Sequence, residues 1–170
     1  PWAQEGGFDP APLMEDLVAQ EEAGARAKQP DGHGSAPPVD VEFGVWRKGN
    51  AIPQRQAGFY AVSVKVTRGD LTPAQFHGLA DLTRKYAGGQ VRLTCEQNLT
   101  VRWVREHDLY DIWKALKAIG LAEPDAQDIN DVCSCPGTDS CKLGITSSMG
   151  LALALRESFK GYNGLLEDPL

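Results

Sequence analysis

Three of the four cysteines in this chain, Cys133, Cys135 and Cys141, fall within the stretch CSCPGTDSCKLGITSS from Cys133 to Ser148. Thiolates are soft ligands. A turn rich in Gly and small polar residues can bring two sulfurs to one metal while its backbone N–H groups face cluster sulfides. Pro136, Gly137, Thr138 and Asp139 supply such a turn between Cys135 and Cys141. Spacing alone leaves several chemistries open: half of an iron–sulfur site, a zinc loop, a redox pair, or reduced thiols at a strand-to-helix turn. A structural zinc site wants four ligands, and His33, His77 and His107 do not stand in finger spacing with the thiols. A C-x-x-C pair is absent, which argues against a dithiol switch. Cys95, alone in a strand-like run, reads as a small buried apolar residue. A second polar group, Arg92, Thr94, Gln97 and Asn98, lies at a strand junction. There side chains can project from a sheet's end towards a ligand, or simply make turn chemistry with an ordinary surface Arg.

The elements that must position these residues are legible in the hydrophobic pattern. FYAVSVKV from Phe59 alternates as a half-buried strand with Tyr60, Val62, Val64 and Val66 on one face. Thr72, Pro73 and Gln75 make a helix start, and the helix runs to about Tyr86, burying Phe76, Leu79, Leu82 and Tyr86 before Gly88 and Gly89 end it. Val91 to Cys95 and Asn98 to Val104 read as two strands around a tight connection. Asp108 can cap a second helix in which Leu109, Ile112, Trp113, Leu116 and Ile119 recur at helical spacing. Ile129 to Ser134 reads as a final strand, and a helix over about 143–159 follows the cysteines. Strand, helix, strand, strand, helix, strand is the split βαββαβ order of a ferredoxin-like α+β sandwich, with two helices on one sheet face and the other free for a cofactor or partner.

The chain has 170 residues and a net charge of −6, unevenly spread. Residues 1–42 hold nine acidic and two basic groups, and the other 128 hold 14 acidic and 15 basic, so no basic face recommends nucleic acid. The acidic leader has one candidate helix, about 10–28, with Leu13, Leu17 and Val18 on one side. QPDGHGSAPPV, 29–39, reads as a linker. Three segments are expected: an N-terminal helical and linker extension over 1–42, a ferredoxin-like unit over 43–134, and a cysteine-bearing segment over 135–170. No run of 18 apolar residues and no secretory leader pattern is present, which gives a cytoplasmic expectation without membrane contact.

Taken together, GNAIPQRQAGFYAVSVKVTRGDLTPAQFHGLADLTRKYAGGQVRLTCEQNL and CPGTDSCKLGITSS resemble the sirohaem- and [4Fe–4S]-containing nitrite and sulfite reductases. The likeness covers about 43–159, and includes a Q-x-Q-x-G approach, an R-x-T-x-x-Q-N segment and C-x5-C before a helix. It implies a second-half ferredoxin-like domain plus the start of the cluster-binding module. By position, Cys135 and Cys141 would be two of four cluster ligands. Arg92, Thr94, Gln97 and Asn98 would lie near the sirohaem carboxylates, with Gln54 and Gln56 beside them. Electrons would come from a ferredoxin or flavoprotein reductase, for six-electron reduction of sulfite or nitrite. The family's second cysteine pair, C-x3-C, is not among these residues, so the expectation is a piece of a longer oxidoreductase, inactive and cofactor-free by itself and partnered by the remainder of the reductase chain. The rival expectation is a non-catalytic ferredoxin-like interaction module with a structural or zinc-binding cysteine loop.

Overall fold

The structure, a computed structural model, describes residues 39–159 together with Glu15 and residues 17–19. Those few leader residues are helical; the remainder of the expected leader helix, and the expected linker up to Pro38, lie outside the described residues. In chain order come α1 (Val41–Asn50), β1 (Ala51–Pro53), β2 (Phe59–Val64), α2 (Pro73–Tyr86), β3 (Arg92–Leu93), β4 (Leu99–Arg105), α3 (Leu109–Ala118) and α4 (Ser148–Phe159). The strands form one antiparallel sheet in the order β1-β2-β4-β3. The architecture is ferredoxin-like α+β, as expected.

Local chemistry explains each helix. Asp40 caps α1, its Oδ1 accepting from Phe43 N at 3.1 Å, and Glu42 in the first turn with Arg47 and Lys48 in the last suit the helix dipole. The start of α2 is the reciprocal box read from the sequence: Gln75 N donates to Thr72 Oγ1 at 3.3 Å and Thr72 N to Gln75 Oε1 at 2.9 Å. Leu79 and Leu82 of this helix are buried, but Phe76 is 59% exposed, against expectation. A Cβ on Gly78 would stand 2.7 Å from Ile119 Cγ2, so this close approach to the end of α3 turns the contact face away from Phe76. Asp108 stands at the α3 cap position without making a cap bond.

Helices and sheet meet over one apolar cluster. Val62 and Val64 of β2, Val101 and Val104 of β4, Trp46 of α1, and Leu109, Ile112 and Leu116 of α3 are all fully buried within it. The opposite face carries polar and basic residues beside the Phe59–Trp103 ring pair. Because Leu99 and Val101 point into the core, Thr100 and Arg102 point out, and the register sets Arg92 beside Thr100 and Thr100 beside Ser63.

The expected final strand is absent. Residues 129–130 form a turn and 131–136 have no regular structure. In the split order a last strand would pair with β2, but β1 already occupies that edge from the N-terminal side. Residues 123–131 are instead fastened by Lys65, just past β2 and only 4% exposed. Its Nζ donates to Asn130 O at 2.8 Å and faces Asp125 Oδ2 at 2.8 Å and Glu123 Oε2 at 3.8 Å. Glu123 also accepts from Arg156 of α4, extending the ionic chain from sheet to last helix. That helix begins at Ser148, later than expected, because 142–147 is spent on turns. Among the described residues no helix is long and apolar enough to cross a membrane.

Candidate functional site

The junction between β3 and β4 is a tight turn in which Gln97 N donates to Thr94 O at 3.2 Å and Thr94 N to Asn98 O at 3.0 Å. Gln97 takes the left-handed conformation, φ 63°, that such a turn demands, and Gly69 packs 3.5 Å (from its would-be Cβ) against the Gln97 side chain. Thr94 Oγ1 accepts from Asn98 N at 3.2 Å, which closes the turn from the inside.

From this turn two side chains reach across to the cysteine segment. Gln97 Nε2 donates to Ser134 O at 2.7 Å and Gln97 Oε1 accepts from Ser134 N at 3.2 Å, a two-pronged hold on the peptide between Cys133 and Cys135. Asn98, 4% exposed, accepts from Val66 N at 2.9 Å through Oδ1 and donates to Asp131 Oδ2 at 2.6 Å through Nδ2. Asp131 Oδ2 in turn accepts from Gln127 N at 2.8 Å. The two polar motifs of the sequence thus meet in space, and Gln97 and Asn98 spend their side-chain bonds on joining them. Arg92 lies on the outer sheet face opposite Thr100, half-buried.

Gln54 does something different. Its Oε1 accepts from Trp103 N at 2.7 Å, where β4 carries one extra residue: Tyr60 pairs with Val104 but Val62 with Val101. Trp103 is held at φ 62°, rare for a bulky residue, with its ring edge-on to Phe59 at 5.5 Å. Gln54 thereby satisfies an amide that the bulge takes out of the ladder. Gln56 is exposed, and its carbonyl accepts from Phe59 N in the hairpin turn.

The cysteine loop is closed by its own backbone. Cys141 N donates to Gly137 O at 2.9 Å and Thr138 N to Thr146 O at 3.2 Å. Gly137 sits at φ 57°, where a Cβ would stand 2.6 Å from Ser148 Oγ and 2.8 Å from Ser148 N, so glycine is required there. All four cysteines are free and exposed, including Cys95, which the pattern placed inside. Cys95 Sγ donates to Glu96 Oε1 at 3.0 Å and Cys133 Sγ to Glu96 O at 3.0 Å. Cys135 Sγ lies 3.4 Å from Ser148 Oγ. The Ser148 hydroxyl, helped by the Gly137 backbone N–H, pulls the Cys135 thiol below its ordinary pKa. Burial, then the charges of Asp131 and Glu96, push Cys133 up, and the bond to Glu96 does the same for Cys95. Ser134, Asp131, Lys65 and Ser148 are participants that sequence reasoning missed. Ser134 and Ser148 lie inside the quoted cysteine stretch and so carried a signal; Asp131 and Lys65 carried none.

Residues 52–119 match the profile of the nitrite/sulfite reductase ferredoxin-like half domain. The chain is 29% identical over 109 residues to a nitrite reductase [NAD(P)H] of Neurospora crassa, covering 63% of this chain and 9% of that protein. It is 26% identical over 113 residues to an assimilatory-type sulfite reductase of Nitratidesulfovibrio vulgaris, covering 66% of this chain and 51% of that protein. A ferredoxin–nitrite reductase of Synechococcus elongatus is 28% identical over 118 residues, 68% of this chain and 23% of its own length. Among solved structures, the Mycobacterium tuberculosis NirA protein superposes with a TM-score of 0.55 at 21% identity, over 93% of this chain and 30% of that one, a likeness of fold. The chain thus spans about half of one of these relatives and much less of the others.

Proposed function

We propose that this chain, which carries the ferredoxin-like half domain of the nitrite/sulfite reductase family, serves as the part of such an oxidoreductase that seats a sirohaem on its sheet and presents Cys135 and Cys141 to a [4Fe–4S] cluster, for six-electron reduction of sulfite or nitrite. The observation that carries the reading is the two-pronged bond from Gln97 to Ser134, which couples the R-x-T-x-x-Q-N turn to the cysteine loop.

The two groups fit unequally. A cubane cluster takes four ligands, and among the described residues no group of three or more His, Cys, Asp or Glu side chains converges. These residues do not complete a cluster site. The carboxylates of a sirohaem suit the outer sheet face better, since Arg92 and Arg102 lie on it. When bound, a sirohaem would supply the iron that takes the substrate oxyanion. In this reading Arg92 and the Thr94 hydroxyl meet a carboxylate, and Gln97 and Asn98 position the cysteine loop. Gln54 keeps the bulge that re-aims β4, and Gln56 lies exposed at the hairpin tip. The electron donor would be a ferredoxin or a flavoprotein reductase; the relatives' names divide between NAD(P)H and ferredoxin.

One relative sharpens the domain picture. As 113 aligned residues are 51% of the Nitratidesulfovibrio protein, that reductase has about 220 residues. A half domain of this kind can therefore belong to a chain of about that length.

The rival, a non-catalytic module whose cysteine loop binds zinc or nothing, draws on the loop's closure by its own backbone bonds. Purification of the full open reading frame's product under anaerobic conditions, with absorbance and electron paramagnetic resonance, decides between them. The proposal expects a sirohaem band and a cluster signal, the latter lost in Cys135→Ser. Protein with neither signal, or with zinc alone, overturns it. A C-x3-C pair in the coding sequence past Leu170 is the cheaper first check.

A further inference from the structure

Cys95 and Cys133 are the two thiols that the cluster reading leaves unused, and the fold brings them to a single residue. Cys133 Sγ donates to Glu96 O at 3.0 Å, and Cys95 Sγ donates to Glu96 Oε1 at 3.0 Å. The carbonyl that holds Cys133 therefore belongs to the residue directly after Cys95. Two neighbouring contacts keep the segments side by side: Gln97 clamps the Ser134 peptide, and Asn98 ties Asp131. Both sulfurs are free and exposed, so a small reagent reaches them. Neither residue lies in a strand or helix: Cys95 is in the turn between β3 and β4, and Cys133 in the irregular stretch 131–136. Such backbone settles into the Cα spacing of about 4.4–6.8 Å that a disulfide asks without breaking a ladder or a helical turn. Cys135 and Cys141 are placed otherwise. Their turn is fixed by the bonds from Cys141 N to Gly137 O and from Thr138 N to Thr146 O, and Cys135 Sγ faces Ser148 Oγ at 3.4 Å.

We propose that Cys95 and Cys133 form a reversible disulfide that staples the β3–β4 turn to the cysteine segment, with a low-molecular-weight disulfide such as glutathione disulfide as the oxidant. The first protein thiolate attacks one sulfur of the reagent and breaks its S–S bond, which releases one small thiol and leaves a mixed disulfide on the protein. The second protein thiolate then attacks the protein sulfur of that mixed disulfide. The Cys95–Cys133 bond forms, and the other half of the reagent leaves as a second small thiol. Two electrons have passed from the protein sulfurs to the reagent, and the two protein protons end on the released thiols. In the reduced chain the junction is held by hydrogen bonds alone; in the oxidised chain it is covalent. The hold on the peptide next to Cys135 thereby follows the thiol–disulfide balance of the surroundings. The staple also withdraws Cys133 as an exchange partner for Cys135, and leaves Cys135 and Cys141 as free thiols. The inference is independent of the cofactor chemistry, since neither sulfur is a proposed cluster ligand.

The 170-residue chain, reduced, exposed to glutathione disulfide, alkylated and mapped by peptide mass spectrometry, tests it. The Cys95–Cys133 cross-linked peptide should dominate, with Cys135 and Cys141 recovered as alkylated thiols. Hydrogen exchange at the Ser134 amide should slow by about tenfold on oxidation and return to the reduced rate with dithiothreitol, while core amides of β2 and β4 stay unchanged. Cys95→Ser should leave Cys133 carrying glutathione as a mixed disulfide and abolish the slowing at Ser134. Cys133→Ser should do the same with glutathione on Cys95. Both substitutions fall on exposed positions, and the β2 and β4 amides report that the fold is kept. A dominant Cys135–Cys141 or Cys133–Cys135 link overturns the proposal, as does glutathione retained on both Cys95 and Cys133 of the parent chain. Links between two chains in place of the internal one overturn it too, and so does a Ser134 amide whose exchange is the same in both redox states.

Discussion

Leu116 of α3 and Ile145 of the cysteine loop are both aliphatic, yet the first is fully buried and the second 94% exposed. The contrast holds for their surroundings. Around Leu116, three helices and the central strands share one core; α4, behind the loop, buries only Ala152 and leaves Leu151, Leu153 and Leu155 outside. The half domain holds itself together by apolar burial, whereas the loop is held by polar bonds from Gln97, Asn98 and Lys65. Stability and chemistry are thus lodged in different places. A thiol that must meet a metal or a partner has to stay accessible, and accessibility is what a packed core removes.

The largest test of that division is a pair of truncations. Leu116→Ala should cost about 2–5 kcal/mol in urea unfolding, because it opens a cavity that tightly packed neighbours cannot fill. Ile145→Ser should stay within about 0.5 kcal/mol. Equal costs for the two would mean that the loop shares the core, and the contrast would fail.

Next in size is the junction itself. Gln97→Ala removes two side-chain bonds to Ser134, each worth about 0.5–1.5 kcal/mol, and leaves a left-handed backbone on a residue that resists it. Gln97→Gly loses the same bonds without that backbone penalty, and should be less destabilising by about 0.5–1 kcal/mol. Both variants should speed hydrogen exchange at the Ser134 amide while leaving core amides unchanged. If exchange there is unmoved, the loop is held by something other than Gln97.

How much of this was readable beforehand follows the same division. The α2 capping box, the alternation of β2 and the periodicity of α3 are local signals, each complete within a few residues, and they appeared where the pattern put them. The expected strand at 129–134 failed because its place depended on a competitor forty residues before the sheet's second half: β1 took the edge first. Helix α1 was missed although Asp40 caps it, since Gly44 and Gly49 weaken its propensity and a Cβ at Gly49 would stand 2.3 Å from Pro124 O, a packing reason no local window contains. In the site, the importance of Gln97, Asn98 and the cysteine stretch was legible as motif. That Gln97 would hold Ser134, and Lys65 would sit buried against Asp125, was not, because a Gln in a turn and a Lys in a strand both read as solvated until the partner segment is placed.

The finest comparison lies within the loop, between Cys135 and its neighbour two residues back. The Ser148 hydroxyl favours the Cys135 thiolate, whereas burial and two carboxylates disfavour that of Cys133. A thiol whose pKa is lowered gains its thiolate first as pH rises, and the thiolate is the nucleophile. At about pH 8, below the ordinary cysteine pKa, iodoacetamide should therefore label Cys135 several-fold faster than Cys133 or Cys95. The ratio should shrink as pH climbs past the raised pKa values of the slower pair. Ser148→Ala should slow Cys135 alone, since no other thiol contacts that hydroxyl. Gln97→Ala should speed Cys133 by freeing its peptide, which ties this small effect back to the junction. Labelling that reaches Cys133 first in the parent chain would mean that exposure, not the local field, sets reactivity in the loop, and the electrostatic half of the contrast between core and loop would be lost.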